Sequence, residues 1–364
     1  MVRISVITPT FNRVRFLSKL WQSLLAQTMV EWEWILVDDG STDGTSAWAH
    51  GISDQRLRYY AQPNQGKSVA RNYGWGQAFA PYVVFLDSDD WLFPSALEMH
   101  CQFLDQHPEV DLCISDGVYV TADGREICKL SDRRRFPTDL SFVEAYVQDG
   151  ALIGAIHCVG LRSSAIKVRD PFAPNIHVAE DWLFFVELLR RSRIGWIENI
   201  TCAYVWHSEN DTLFDRRRSL LLNTYQELIA KDWFAAFSEE TRMIVLQKMV
   251  LDLVQFDFEQ QQFLLEASAI KNLSHACRAI LKRRVALQWL LQGDASKTQA
   301  AQGLLRQILS SRFIDKKSIA ALALSYLPLP WRRRLIGRWI DRKRQTPCLD
   351  PLLQELGLNE NLAD

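Results

Sequence analysis

Val83-Val84-Phe85-Leu86-Asp87-Ser88-Asp89-Asp90-Trp91 decides the fold class of this chain. Four apolar residues, β-branched and aromatic among them, run into three carboxylates within four positions, the pattern of a buried strand ending in a charged turn. In open α/β sheets ligands sit beyond the carboxyl ends of the strands, so carboxylates placed there can hold a hard cation against a phosphate. Only the small Ser88 separates Asp87 from Asp89, and both can turn toward one ion, or toward one ion and one hydroxyl. Isolated Asp-x-Asp triplets are more often solvated turns. The apolar run in front of this one, and similar clusters elsewhere in the chain, set it apart.

Upstream the same arrangement recurs. Ile4 to Thr8 reads as a buried strand that breaks at Pro9-Thr10-Phe11-Asn12, and Phe16, Leu17, Leu20, Trp21, Leu24 and Leu25 then recur at helical spacing. A second strand, Trp34 to Val37, runs into Asp38-Asp39-Gly40-Ser41-Thr42-Asp43-Gly44. A third, Leu57 to Tyr60, is followed by Pro63-Asn64-Gln65-Gly66 and a helix bearing Lys67, Arg71 and Asn72. Strand and helix alternate with short connections, which predicts an α/β fold with a mostly parallel, helix-covered sheet. The polar strand ends of such a sheet lie along one edge. A Gly-x-Gly-x-x-Gly turn is absent, which argues against a dinucleotide-binding dehydrogenase.

Downstream, Leu97, Phe103 and Leu104 suit a helix, Val110 to Ser115 a strand, and Val118 to Leu130 a hairpin around Ala122-Asp123-Gly124. Ile156 to Leu161 reads as a further strand, Glu180-Asp181 opens a helix, and Ala203 to Trp206 forms a strand that ends at His207. From about residue 211 strand alternation stops. The rest reads as helical, with Ser238-Glu239-Glu240 as a capped helix start and Ile244, Val245, Met249, Leu253 and Phe256 on one face. Two domains are therefore expected, 1–210 and 211–364.

Composition narrows the class. The chain has 364 residues, 48% hydrophobic and 23% charged, values of a soluble globular protein of about two domains. A net charge of −1 gives no basic field for nucleic acid. Seven cysteines lie without C-x-x-C or Cys/His ligand spacing, the usage of reduced cytosolic thiols. Met1 runs directly into Ile4 to Ile7, so no secretory leader is expected, and no apolar run reaches the roughly 20 residues of a membrane span.

Four segments in order, Val6-Ile7-Thr8-Pro9-Thr10-Phe11-Asn12, Ile35 to Thr45, Gly66-Lys67-Ser68-Val69-Ala70-Arg71-Asn72 and Phe85 to Asp90, resemble the family 2 glycosyltransferases with a GT-A fold, over residues 1 to 210. The resemblance implies an inverting, metal-dependent transferase that uses Mg²⁺ or Mn²⁺ and a nucleotide-sugar donor. UDP is the usual nucleotide, and the transferred group is a hexose or N-acetylhexosamine. It implies that Thr8, Pro9, Phe11 and Asp39 border the base. A carboxylate can accept from a base N–H, and Pro9 and Phe11 offer apolar contact. Lys67 and Arg71 would lie near the diphosphate, at a helix start whose backbone already favours anions. Asp87, with Ser88 beside it, becomes a ribose or metal-water partner, Asp89 the direct metal ligand, and Asp181 the catalytic base.

At a helix start the dipole keeps Asp181 ionised, while burial beside Trp182 pushes the other way. His207 sits where relatives place a histidine near the diphosphate or metal, although the arginine usual two residues earlier is replaced by Val205. The Gln-x-x-Arg-Trp motif of processive synthases is absent. The acceptor is expected to be a glycan or a lipid-linked acceptor in cell-surface polysaccharide synthesis. The location is expected to be cytoplasmic, with peripheral membrane contact through the basic amphipathic segment 331–344. Two other classes share parts of this pattern: a nucleotidyltransferase, which would release pyrophosphate, and a nucleotide-sugar-binding protein without catalysis.

Overall fold

A computed structural model describes residues 1–133, 141–207, 218–253, 258–266, 268–292, 294–310, 316–327 and 329–340. They divide between two compact units, Met1–Phe214 and Asp215–Asp350. The first contains, in chain order, β1 (Ile4–Thr10), α1 (Val14–Leu25), β2 (Trp32–Asp38), α2 (Thr45–His50), β3 (Leu57–Ala61), α3 (Lys67–Gln77), β4 (Tyr82–Phe85), β5 (Trp91–Leu92), α4 (Ala96–Gln106), β6 (Leu112–Thr121), β7 (Glu126–Lys129), α5 (Phe142–Gln148), β8 (Val159–Arg162), α6 (Glu180–Leu189) and β9 (Ile194–Trp206).

Among the described residues nine strands form one sheet, ordered β3-β2-β1-β4-β8-β6-β9-β5, with β7 on β6. The longer ladders, β1 with β2 and β6 with β9, are parallel, and β8 enters antiparallel between β4 and β6. Strands β1, β2 and β4 of the parallel half are buried on both faces, as their mostly apolar sequence requires, whereas the edge strand β3 is half-buried. Val6, Trp34 and Leu36 join Leu17, Leu20 and Leu24 of α1 and Leu97 and Leu104 of α4 in one core. Alternate residues Ile7, Ile35 and Val37 face α3, which comes close because Gly74 has no side chain: a Cβ there would stand 2.6 Å from Ile7 Cγ2. Each leucine that α1 buries contributes about 1.5–3 kcal/mol.

Strand β1 runs on through Pro9 and Thr10 and β2 starts two residues early, and three further boundaries differ from the sequence reading. Val110 to Ser115 is not a separate strand but the start of β6, whose second half pairs with β7 around a turn at Gly124 (φ 92°). Residues Ile156–Cys158 form a 3₁₀ turn and the strand begins only at Val159. All three side chains of that turn are buried, so the alternation of a half-exposed strand is not available to them. Strand β9 begins nine residues earlier than Ala203, through a stretch whose polar Glu198 and Asn199 hid it.

The second unit is helical: α7 (Arg218–Ile229), α8 (Glu239–Gln247), α9 (Phe258–Leu265), α10 (Ser268–Lys271), α11 (His275–Gln292), α12 (Ala295–Ser310), α13 (Lys316–Leu324) and α14 (Leu329–Ile340). Ser238 caps α8 as its sequence demands, its hydroxyl accepting from Thr241 N. The expected single face through Leu253 is broken by a π-helical stretch at 248–253, and Phe256 lies outside the described residues. Helix α11 packs against α12, α13 and α14. Helix α14 starts at Leu329 with Pro330 in its first turn, where a missing N–H costs nothing. Ile336 is fully buried and Leu335 is 40% exposed. Positions 341–344 of the basic tail lie outside the described residues. No helix among the described residues is long and apolar enough to cross a membrane.

Candidate active site

Strand β1 lies between β2 and β4, so the loops that leave all three emerge along one sheet edge. Thr10 is level with Asp38, and Ile7 with Phe85, which brings Leu86 and Asp87 out beside Thr8 and Pro9. The first two loops are tied together: Asn12, at φ 52°, donates from its N–H to Ser41 Oγ at 2.8 Å and accepts from Thr42 N at 2.7 Å. Asp38 accepts from Tyr59 Oη and Ser41 N. Asp39 accepts from Gln62 Nε2, Gln65 N and Gly66 N at 2.7–2.9 Å, and so fixes the loop that precedes α3. Of the residues expected at the base, Phe11 is 45% exposed, whereas Thr8 and Pro9 are buried. The Thr8 hydroxyl accepts from the Trp34 indole, which turns it into the core.

Asp89 and His207 lie together, with His207 Nε2 3.0 Å from Asp89 Oδ2. Arg13, at the start of α1, bonds the same oxygen. Phe16, one turn along, stacks on His207 with ring centroids 4.8 Å apart. Neither was read from sequence as a site residue: Phe16 was placed only on the apolar face of the helix, and Arg13 was not named, although its charge directly after the Phe11-Asn12 turn was the available signal. Burial pushes the Asp89 carboxyl up, but the His207 hydrogen bond and the Arg13 guanidinium outweigh it and hold it below the usual carboxylate range. Asp90 turns the other way. It accepts from Val205 N at 2.7 Å and faces the buried His157 at 3.5 Å, and burial followed by the Asp89 and Asp87 charges lifts its carboxyl well above the ordinary value. Burial depresses His157 to about 4, so the imidazole is neutral at pH 7.

The acidic pair at the start of α6 is held by α3. Asn72 clamps the backbone of Phe172 from both sides, Nδ2 donating to its carbonyl and Oδ1 accepting from its N–H. Ser68 Oγ donates to Ile176 O. Arg71, 1% exposed, donates to Glu180 Oε1 at 2.5 Å and to Asp87, and lies over the Phe172 ring. Lys67 Nζ adds a contact to the same Glu180 oxygen at 2.9 Å. Burial opposes the Arg71 charge, and the carboxylates of Asp87, Glu180 and Asp181 more than compensate. The Glu180 carboxyl is pushed up by burial but held below its ordinary value by Lys67 and Arg71. Asp181 has the opposite fate: burial first, and then the Glu180 charge, raise it against the pull of Lys67 and Arg71. The residue before the pair, Ala179, has φ 55°, a left-handed conformation unusual for a side chain with a Cβ. Ser88, expected on the donor side, is largely buried.

Asp89 offers a hard oxygen and His207 an imidazole nitrogen. That pair suits Mg²⁺ or Mn²⁺ when the remaining positions come from diphosphate oxygens and water, as small hard cations prefer. Among the described residues no three His, Cys, Asp or Glu side chains converge into an all-protein cage.

Residues 5–167 match the sequence profile of glycosyl transferase family 2. An uncharacterized glycosyltransferase of Rickettsia felis is 36% identical over 106 residues, 29% of this chain and 18% of that protein. This chain spans 18 to 35% of the length of three such Rickettsia relatives. Succinoglycan biosynthesis protein ExoO of Rhizobium meliloti is 25% identical over 328 residues, 87% of this chain and 90% of that one. The crystal structure of S. aureus TarS 1-349 in complex with UDP-GlcNAc aligns with a TM-score of 0.57 at 18% identity, covering 92% of each chain. That likeness extends to the fold, a mixed α/β sheet of GT-A type followed by helices.

Proposed function

We propose that this chain, whose residues 5–167 belong to glycosyl transferase family 2, transfers a hexose or N-acetylhexosamine from a UDP-sugar, with inversion, to a hydroxyl of a growing surface glycan or its lipid-linked form. One observation carries the reading: Arg71 joins Asp87, on the donor side, to Glu180, beside the base, through one buried guanidinium. Donor and acceptor chemistry are thereby held in one frame. UDP is favoured because the TarS neighbours include UDP and UDP-GlcNAc complexes. A glycan acceptor is favoured by the relative in succinoglycan biosynthesis.

The exposed Phe11 would lie against the base and Asp39 would hold the loop that closes on it. Asp87 would face the ribose, with Ser88 buried beside it. Lys67 would meet the diphosphate, while Arg71 orients Asp87 rather than reaching solvent itself. Asp89 and His207 would hold Mg²⁺ or Mn²⁺, which when bound supplies positive charge against the departing diphosphate. Asp181 takes the proton of the acceptor hydroxyl as its oxygen attacks the anomeric carbon. Its raised carboxyl pKa makes it a better proton acceptor than an ordinary aspartate while leaving it ionised over the alkaline part of its range. A single displacement inverts the anomeric centre.

The test is product analysis with a panel of UDP-sugars and glycan acceptors. Nucleoside diphosphate release marks a glycosyltransferase, and pyrophosphate release marks a nucleotidyltransferase. Asp181→Asn should leave UDP affinity nearly intact and lower kcat by a factor on the order of 10² to 10⁴. Unchanged kcat removes Asp181 from the mechanism. The location we propose is cytoplasmic, with the helical unit touching the inner membrane face through the segment 331–344.

A further inference from the structure

Helix α1 buries Leu17, Leu20 and Leu24 in the core, but Phe16 stands off that stripe and is only half-buried. Its ring lies on the imidazole of His207, with centroids 4.8 Å apart and planes inclined by 28°. The guanidinium of Arg15 lies 4.6 Å from the centre of the same phenyl ring, and that of Arg13 lies 5.6 Å from it. His207 stands one residue past β9, its side chain 8% exposed and its Nε2 3.0 Å from Asp89 Oδ2. The contact with Asp89 fixes where one ring nitrogen points. It does not fix the plane of the ring, because the torsion that turns an imidazole about its Cβ–Cγ bond is broad and takes its value from what packs against it. The stacked phenyl ring constrains that plane.

We infer that Phe16 is a positioning residue for the divalent ion: it holds the His207 imidazole in the plane from which Nε2 serves as a ligand beside Asp89. The inference rests on the metal-dependent reading given above. The two contacts of the imidazole differ in what they survive. Nε2 has a single bonding direction, so a nitrogen that takes an ion gives up its hydrogen bond to Asp89. The stack with Phe16 uses the face of the ring and is compatible with either state. Ligating imidazoles are held by neighbours that do not themselves touch the metal, and removing such a neighbour weakens metal binding. For a stacked aromatic pair the expected loss is about two- to tenfold. A phenyl ring that only filled space beside α1 would have no such effect, and an aliphatic side chain of similar size would replace it.

The experiment is a double-mutant cycle on the full chain, with Mn²⁺ binding at saturating UDP followed by electron paramagnetic resonance. Phe16→Leu and Phe16→Met keep an apolar, helix-forming side chain without the ring, and Phe16→Tyr keeps the ring. The first two should each weaken Mn²⁺ binding by about two- to tenfold, and Phe16→Tyr should bind as wild type does. In a His207→Ala background the same substitutions should leave Mn²⁺ affinity where His207→Ala put it, since a residue that acts through the imidazole has nothing left to act on. Wild-type Mn²⁺ affinity in Phe16→Leu and Phe16→Met, or a loss that persists in full without His207, overturns the inference. If His207→Ala itself binds Mn²⁺ as wild type does, His207 is no ligand and the inference falls with that assignment. A wild-type protein that binds no Mn²⁺ overturns the metal-dependent reading itself, and the inference with it. Circular dichroism and UDP affinity without metal, which a misfolded chain would lose, should match wild type in all the variants.

Discussion

Asp87, Asp89 and Asp90 stand within four positions and yet have three different neighbours: Arg71, the Arg13 and His207 pair, and the neutral His157. Their variants should differ accordingly. Asp89→Ala should abolish the metal dependence of UDP binding, whereas Asp90→Ala should keep it and lower stability by about 1–3 kcal/mol, the cost of removing the buried hydrogen bond from Val205 N. Thermal denaturation and calorimetry on both variants check this, and wild-type metal dependence in Asp89→Ala would refute the assignment. Glu180 and Asp181 are divided in the same way. A base must be ionised, so turnover falls as pH drops through the raised Asp181 pKa. The Glu180 charge is one of the causes of that rise, and Glu180→Gln removes it while leaving Lys67 and Arg71 in place, so the acidic limb of the kcat profile should move to lower pH. A limb that stays put, or moves up, would show that Glu180 does not set the base.

Helix α3 is the element on which both halves of the site depend. Gly66, at φ 90° and with its absent Cβ only 2.9 Å from His177 Nδ1, starts it. Its N–H binds Asp39, and its successive turns hold the 172–180 segment through Ser68, Arg71 and Asn72. Asn72→Ala would leave the buried N–H and C=O of Phe172 unpaired, so a stability loss of about 2–4 kcal/mol is expected, at roughly 1–2 for each group. Because the segment it pins leads to Asp181, kcat should fall while UDP affinity changes little. A loss of UDP affinity as large as the loss of kcat would place Asn72 on the donor side instead. Sequence reasoning identified the helix and its basic residues because they follow a Pro and Gly break and repeat at helical spacing. It could not identify the clamp, since Asn72 and Phe172 are 100 positions apart and nothing local marks them as partners. The same holds for His157, read as part of a strand: its partner Asp90 is distant in the chain and its burial leaves no periodic trace. The strands β1, β2 and β4 were legible because a continuous apolar run that stops at polar or acidic residues fits a buried strand and little else.

For the whole molecule, the catalytic fold was readable from four motifs in order, while the helical unit offered only periodicity and caps. In that unit α14 is anchored by Ile336 and leaves Leu335 exposed. Leu335→Ser combined with Arg342→Gln, Lys343→Gln and Arg344→Gln should therefore reduce sedimentation with anionic liposomes at low salt without unfolding the unit. Each basic residue near such a surface contributes about 1 kcal/mol, and salt should release the wild-type protein. Equal sedimentation of both proteins would exclude membrane contact through this segment. The clamps and bridges of the site have a consequence for how the molecule comes into being. Arg71 reaches Glu180 across 109 positions, Asp90 reaches Val205 across 115, and His207 reaches Asp89 across 118. Contacts of such long range carry the greatest loop-closure entropy and form late. On a ribosome strands β1 to β4 emerge long before α6 and β9 exist, so Arg71 and Asp89 wait for Glu180 and His207 to complete the cluster.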